Sequence, residues 1–333
     1  MTPAWPRASG DGVARARFKS EPEDFRVYEE LGFEPSGEGE HVFLQLEKRQ
    51  LNTPDLAQRI SSLSGIHPRD ISFSGMKDRQ AVTRQWFSVR MAGRAEPDWQ
   101  GLEQPGEVAL LTVARHQRKL KRGVHRGNRF IIVLRALEGD REVIERRLTQ
   151  LRAAGAPNYF GEQRFGRDGS TLDQARAWME GGGRRISRNR RSLYLSALRA
   201  WLFNRLLAER VRAGTWDHVV PGDTCILHGS RSLFRIEEVD EDIATRAGTG
   251  DLHPGLPLWG RGGDELVAVR EQLADERATC DFLESMGLTL SWRPARLLPD
   301  DFCWEFCDDD SLQLDFRLGA GSYATALLAE LLQ

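Results

Sequence analysis

Residues 312–318 read Leu-Gln-Leu-Asp-Phe-Arg-Leu, a strict alternation of apolar and polar side chains, and an apolar helical stretch closes the chain after them. Alternation with period two marks a strand with one buried face. One strand and one helix cannot bury each other's apolar faces alone. They must join a sheet laid down earlier in the chain. Gly319-Ala320-Gly321-Ser322 separates the two, and Ser322 is expected to cap a helix running through Leu332.

The N-terminal half supplies that sheet. Strands are expected at Phe25–Val27, His41–Leu46, Ile71–Phe73, Trp86–Val89, Val108–Val113 and Phe130–Leu134. Thr53-Pro54-Asp55 opens a helix, with Thr53 as cap, Pro54 in the first turn and an acid near the positive end of the dipole. A second helix, Gly139–Arg152, sets Val143, Ile144, Leu148 and Leu151 on one face, and Gly155 ends it. Hairpin-length spacings among strands and helices predict an α+β fold on a mixed, largely antiparallel sheet.

The pattern changes after Pro157. A helix from Ser170 to Met179 stops at Gly181-Gly182-Gly183, and a long amphipathic helix covers Ser192–Arg212. A hairpin joins Cys225–Leu227 to Leu233–Ile236, and helices follow at Asp264–Glu276 and Thr279–Met286. With 333 residues, two domains are expected. The boundaries are drawn at 1–155 with 304–333 for the sheet domain and 156–303 for an α+β insertion.

The net charge is only −2, but the charges are segregated. Arg115, Arg118, Lys119, Lys121, Arg122, Arg126, Arg129 and Arg135 follow one another with no intervening acid. A second basic run holds Arg184, Arg185, Arg188, Arg190 and Arg191, while acids gather at 237–242 and 300–310. Such segregation gives a neutral protein a cationic face for a polyanion. No stretch approaches a membrane span, and the first residues lack a signal-type apolar run, so a cytoplasmic protein is expected. Cys225, Cys280, Cys303 and Cys307 form no CxxC pair; Cys303 and Cys307 could share a helical face but lack a metal-site partner, so reduced thiols and no metal are expected.

The segment Ser74-Gly75-Met76-Lys77-Asp78-Arg79-Gln80 sets one carboxylate between two fixed cations on a glycine-containing connection. Neighbouring cations favour the ionised form of a carboxylate. Asp78 is therefore a candidate for nucleophilic or electrostatic work.

Four further segments accompany this loop: Phe18-Lys19-Ser20-Glu21-Pro22-Glu23-Asp24-Phe25-Arg26-Val27, Gly127-Asn128-Arg129-Phe130, Pro157-Asn158-Tyr159-Phe160-Gly161-Glu162-Gln163-Arg164-Phe165-Gly166, and Gly321-Ser322-Tyr323-Ala324-Thr325. Together with Gly75–Thr83 they resemble the tRNA pseudouridine synthase D family over nearly the whole chain. The resemblance implies a pseudouridine synthase catalytic domain carrying an inserted TRUD domain. It implies isomerisation of uridine to pseudouridine, at position 13 in the D-arm of tRNA, with no cofactor or metal. It assigns catalysis to Asp78. Whether that carboxylate attacks the sugar, attacks the base or removes the C2′ proton stays open.

A target base must leave its stack to reach Asp78. Phe25, Phe130 and Tyr323 are candidates for stacking on bases; relatives often carry Phe where Tyr323 stands. Asn128 is a candidate for reading a uracil edge, and Lys19 for pairing with Asp78 or a phosphate. Arg79 is assigned to a phosphate or to the Asp78 loop, and Arg164 to a phosphate. A tRNA substrate, no membrane, no obligate protein partner and a monomer are expected. Two competing readings are an RNA-binding protein without catalysis, which would not need Asp78, and a uracil-releasing glycosidase, for which Glu23 or Asp24 would supply a second carboxylate. If the basic runs hold an RNA backbone, log K for tRNA falls linearly with log salt, as a filter-binding series measures; a flat line removes that role.

Overall fold

The computed structural model describes residues 4–230, 232–262 and 266–333. By its packing the chain divides into two units. One holds Ala14–Asp140 and Pro299–Ser322; the other holds residues 4–13, Arg141–Leu298 and Tyr323–Gln333. Packing therefore divides the chain near 140 and 298 rather than at 155 and 303. It also assigns the terminal helix to the unit of Arg141–Leu298.

The first unit is built on a sheet of nine strands among the described residues. We label β1 Arg15–Phe18, β2 Phe25–Glu30, β3 His41–Arg49, β4 Ile71–Phe73, β5 Val82–Arg90, β6 Val108–His116 and β7 Gly127–Glu138. The order runs Asp300–Cys307, Ser311–Gly319, β7, β2, β5, β3, β6, with β1 added to β7 and β4 to β5. Every pairing is antiparallel except β2 with β5. The Leu312–Leu318 alternation does join this sheet: Leu312, Leu314, Phe316 and Leu318 are buried, and the strand pairs with β7 from Leu312↔Leu134 to Gly319↔Gly127. Cys303 and Cys307 lie on the next strand, not on a helix, and both are exposed.

Helix α1, Thr53–Ser64, covers the sheet with Leu56 and Ile60, which pack among Val42, Leu44, Leu46, Phe87 and Val89. Its cap is Asn52 rather than Thr53. The Thr53 hydroxyl is committed elsewhere, donating to Gln85 Oε1 at 3.0 Å and accepting from the Lys77 backbone N–H at 3.1 Å.

The second unit gathers α2 Arg141–Ala154, α3 Ser170–Glu180 and α4 Arg188–Arg212. Its core includes Trp178, Leu198, Phe203, Trp259 and Leu283. A four-stranded sheet lies in the order Leu233–Arg235, Thr224–Leu227, Leu252–Leu258, Ser291–Pro294. Helix α4 starts four residues earlier than the apolar stripe suggests, because the Ser187 side chain accepts from the Arg190 N–H. The expected start at Asp264 lies outside the described residues; a helix is described over Val267–Gln272 and another over Arg277–Ser285. The terminal helix covers Ala324–Ala329, with Tyr323 rather than Ser322 at its cap position. Among the described residues no helix is long and apolar enough to cross a membrane.

Gly155 ends α2 at φ 73°, and a Cβ there would stand 2.1 Å from the Leu297 carbonyl oxygen. Both the left-handed backbone and the close approach require glycine. Gly155→Ala should lower the unfolding free energy by about 2 kcal/mol or more, read from the midpoint of a urea titration. An unchanged midpoint would mean that the Leu297 backbone moves aside at no cost.

Candidate functional site

The connection between β4 and β5 carries Asp78 and has no regular structure of its own, so side chains beneath it supply its hydrogen bonds. Gln85, buried on β5, donates to the Gly75 carbonyl at 2.5 Å. Thr53, at the start of α1, accepts from the Lys77 N–H. Lys48, on β3 and fully buried, donates to the Asp78 carbonyl at 3.0 Å and to the Leu51 carbonyl at 2.6 Å. From the far side the Gly123 N–H reaches the Ser74 carbonyl at 2.8 Å.

The Asp78 side chain remains accessible, at 40% exposure, above this anchored backbone. Its Oδ1 accepts from the Gln80 N–H at 3.1 Å, and its Oδ2 takes the Lys19 ammonium. Lys19 has φ 58°, uncommon outside glycine. Its ammonium lies 4.1 Å from the centre of the Phe25 ring, a cation–π contact that leaves the charge available to Asp78. The cations adjacent in sequence do not pair with Asp78. Arg79 donates to the Gln50 carbonyl, and Lys77 turns to Glu29 and Asn128.

Phe25 and Phe130 lie on neighbouring strands, with ring centres 6.1 Å apart. They continue a file in which Phe18 meets Phe25 edge-on and Phe130 stacks on Phe316 at 5.5 Å. With exposures of 7% and 6%, they make a floor for the Lys19–Asp78 pair rather than an open platform. Asn128 pairs across the strands with Glu29. The Lys77 ammonium joins them, 2.8 Å from Asn128 Oδ1 and 2.7 Å from Glu29 Oε2. Lys77 therefore uses the Asn128 carbonyl oxygen and leaves its amide N–H₂ as the donor for a ligand. His125 lies close by; burial, and then the Lys77 charge, push its imidazole below the usual histidine range.

Arg164 and Tyr323 belong to the other unit, where they meet. The Arg164 guanidinium donates to the Tyr323 hydroxyl and to Ser196 Oγ, the latter at 3.0 Å. It also lies over the Phe160 ring at 5.5 Å, whose centre is 4.2 Å from the guanidinium of Arg293.

The first basic run divides into two kinds of residue. Arg115, Arg129 and Arg135 are ion-paired with Glu96, Asp315 and Asp24, acids far away in sequence. Arg118, Lys119, Lys121, Arg122 and Arg126 are exposed on the segment tied to Ser74 through Gly123. The cationic surface is thus smaller than the sequence suggests and centred beside the Asp78 loop. Glu23 bonds Arg49 at 2.5 Å, and that bond holds its carboxyl below the ordinary range. Asp24 bonds Arg135 at 2.8 Å and the Glu21 N–H at 3.0 Å. Neither carboxylate is paired with Asp78, and Glu23 is a weakened base. No cluster of metal-ligating side chains occurs among the described residues.

The site also includes Lys48, Gln85 and Glu29, which the sequence does not mark out, and Thr53, which it marks only as a helix cap. Lys48 and Gln85 did leave a trace. Each is a polar residue on the inward register of a strand whose other inward residues include Leu44 and Leu46, or Phe87 and Val89.

The family model described as "tRNA pseudouridine synthase D (TruD)" matches residues 8–175 and 170–331. A tRNA pseudouridine synthase D of Methylococcus capsulatus is 48% identical, over 98% of this chain and 94% of the relative. One of Nitrosococcus oceani is 46% identical, over 96% of this chain and 91% of the relative. A crystal structure from Methanosarcina mazei, given as that of a candidate member of the same family, superposes with a TM-score of 0.71 at 20% identity. It covers 98% of this chain and 95% of its own, and it shows the shared fold.

The Lys77–Glu29 pair is buried, with side-chain exposures of 6% and 0%. Removing one partner strands the other charge in a dry site. Glu29→Gln should therefore cost about 3–5 kcal/mol of folding stability, measured by denaturant unfolding; a cost below ~1 kcal/mol would mean that water reaches Lys77.

Proposed function

This chain belongs to the tRNA pseudouridine synthase D family, and we propose that it converts one D-arm uridine of tRNA, at position 13, to pseudouridine with Asp78 as the catalytic carboxylate. The observation that carries the role of Asp78 is its geometry. An accessible carboxylate stands on a loop fixed from below, paired with Lys19 and floored by phenyl rings.

The isomerisation breaks the C1′–N1 bond, turns the uracil in place and joins C5 to C1′. N1 gains a proton and C5 loses one, so the reaction balances with no co-reactant. Asp78 stabilises or traps the sugar, adds to the base or removes a sugar proton; all three routes need a carboxylate held against one nucleotide. Asn128 offers its amide N–H₂ to a uracil oxygen. Lys19 holds Asp78 before the substrate arrives and passes to a phosphate when the nucleotide enters. Phe25 and Phe130 line the floor, and the seated nucleotide has to be shielded from water, which would otherwise release uracil. Arg79 and the exposed 118–126 cations hold the RNA backbone, while Arg164 with Tyr323 contributes a further contact from its own unit. The enzyme needs no cofactor and acts on tRNA as a cytoplasmic monomer without an obligate protein partner.

The glycosidase reading is disfavoured by the commitment of Glu23 and Asp24 to arginines. A pure binding role is disfavoured because it gives no reason to anchor Asp78 from below.

In a single-turnover reaction on unmodified tRNA transcripts, the wild type should give pseudouridine at one D-arm site. Asp78→Asn should give none while binding tRNA with unchanged affinity. Free uracil in place of pseudouridine, or conversion by Asp78→Asn, would overturn the proposal.

A further inference from the structure

The inward residues of β3 run Val42, Leu44, Leu46, Lys48, so a charge occupies what the pattern marks as a core position. Its strand neighbours across the sheet are Thr83 and Val108, neither of them charged. The adjacent Glu47 and Arg49 are engaged with Arg84 and Glu23. Burying an ammonium group is costly unless its donors are satisfied. Two of them are, by the Leu51 carbonyl and by the Asp78 carbonyl.

We propose that Lys48 is a positioning residue of the reaction, whose buried ammonium holds the main chain of Asp78 and so fixes where the catalytic carboxylate stands. This rests on the reading of Asp78 as the catalytic group. Gln85 and Thr53 anchor the loop at Gly75 and Lys77, but among these anchors Lys48 is the one that bonds residue 78 itself. A bond from a charged donor to a carbonyl is stronger than one from a neutral donor. The loop has no ladder of its own to resist drift.

The chemistry of this cation gives the role a signature. Burial pushes Lys48 down to about 8; Asp78 opposes that shift and Lys77 adds to it. The folded value lies below the unfolded one, so the charge opposes folding. Between about pH 8 and the unfolded value of 10.5 the unfolded chain binds more protons than the native one, and stability rises with pH. The rate of conversion should move the other way across that window, because the neutral amine has one donor fewer and no charge to grip the Asp78 carbonyl. A lysine that only supported the fold would give no such opposition.

The test compares wild type, Lys48→Met and Lys48→Arg in single-turnover conversion of a tRNA transcript, with tRNA affinity and urea unfolding measured in parallel from pH 7 to 10. Lys48→Met should be slower on the order of 10²-fold, with tRNA affinity unchanged. The wild type should lose rate above pH 8 while gaining stability relative to Lys48→Met. Lys48→Arg, which keeps its charge, should recover part of the rate at pH 7.5 and lack the loss centred near pH 8. If Lys48→Met does not fold, the pH profile of Lys48→Arg decides alone. A folded Lys48→Met converting at the wild-type rate, or the same alkaline loss in Lys48→Arg, overturns the proposal while leaving the Asp78 reading intact. A wild type that converts no uridine overturns both.

Discussion

A reactive side chain on an irregular loop is only as well placed as the backbone that carries it. The connection between β4 and β5 has no ladder to hold it, and water is the usual partner of such a segment. Here the partners are side chains rising from buried positions of the sheet and from the first residue of α1: Lys48, Gln85 and Thr53. The rigid sheet is therefore continued upward as a set of polar posts, and the loop inherits its precision. The left-handed turn at Lys19 belongs to the same design, since it delivers an ammonium to Asp78 from just beyond the end of β1.

Charge in this protein is sorted by burial rather than by sequence neighbourhood. Lys77 and Arg79 flank Asp78 in the chain yet neither pairs with it, because each is committed elsewhere, Lys77 to Glu29 and Asn128 and Arg79 to the Gln50 carbonyl. Lys77 goes inward to Glu29, where a low dielectric makes the pairing strong, and in doing so orients the Asn128 amide. Several arginines of the basic run are likewise consumed by distant acids, which concentrates the remaining cationic surface on residues 118–126.

Much of the fold was legible. The Leu312–Leu318 alternation required a sheet elsewhere, and β7 is that sheet's strand. The candidate residues Lys19, Phe25, Asp78, Asn128 and Phe130 do gather in one unit, while Arg164 and Tyr323 gather in the other. What stayed hidden has a common cause. The strands Asp300–Cys307 and Leu252–Leu258 are rich in acids or in proline and glycine, so local propensity argues against them and only pairing makes them strands. Thr53 reads as a helix cap because its better use, toward Gln85 and the Lys77 N–H, depends on residues more than twenty positions away. Lys48 reads as the polar end of a strand until the register shows which way it points. Long-range partners decide these cases, and one sequence does not name them.

The interleaving of the two units has a consequence for how the protein is made. The sheet is completed by Ser311–Gly319, which fills the place beside β7, and the other unit is completed by Tyr323–Gln333. In that second unit Arg147 clasps the Ser9 and Glu330 carbonyls together. Neither unit is complete before its C-terminal segment has been made, although N-terminal domains ordinarily fold first as they leave the ribosome. Until the last segments emerge, β7 presents one unpaired edge to the crowded cell. A chain cut short before Ser311 would keep the core formed between Val42 and Val108 but leave the β7 edge as a template for pairing with another chain.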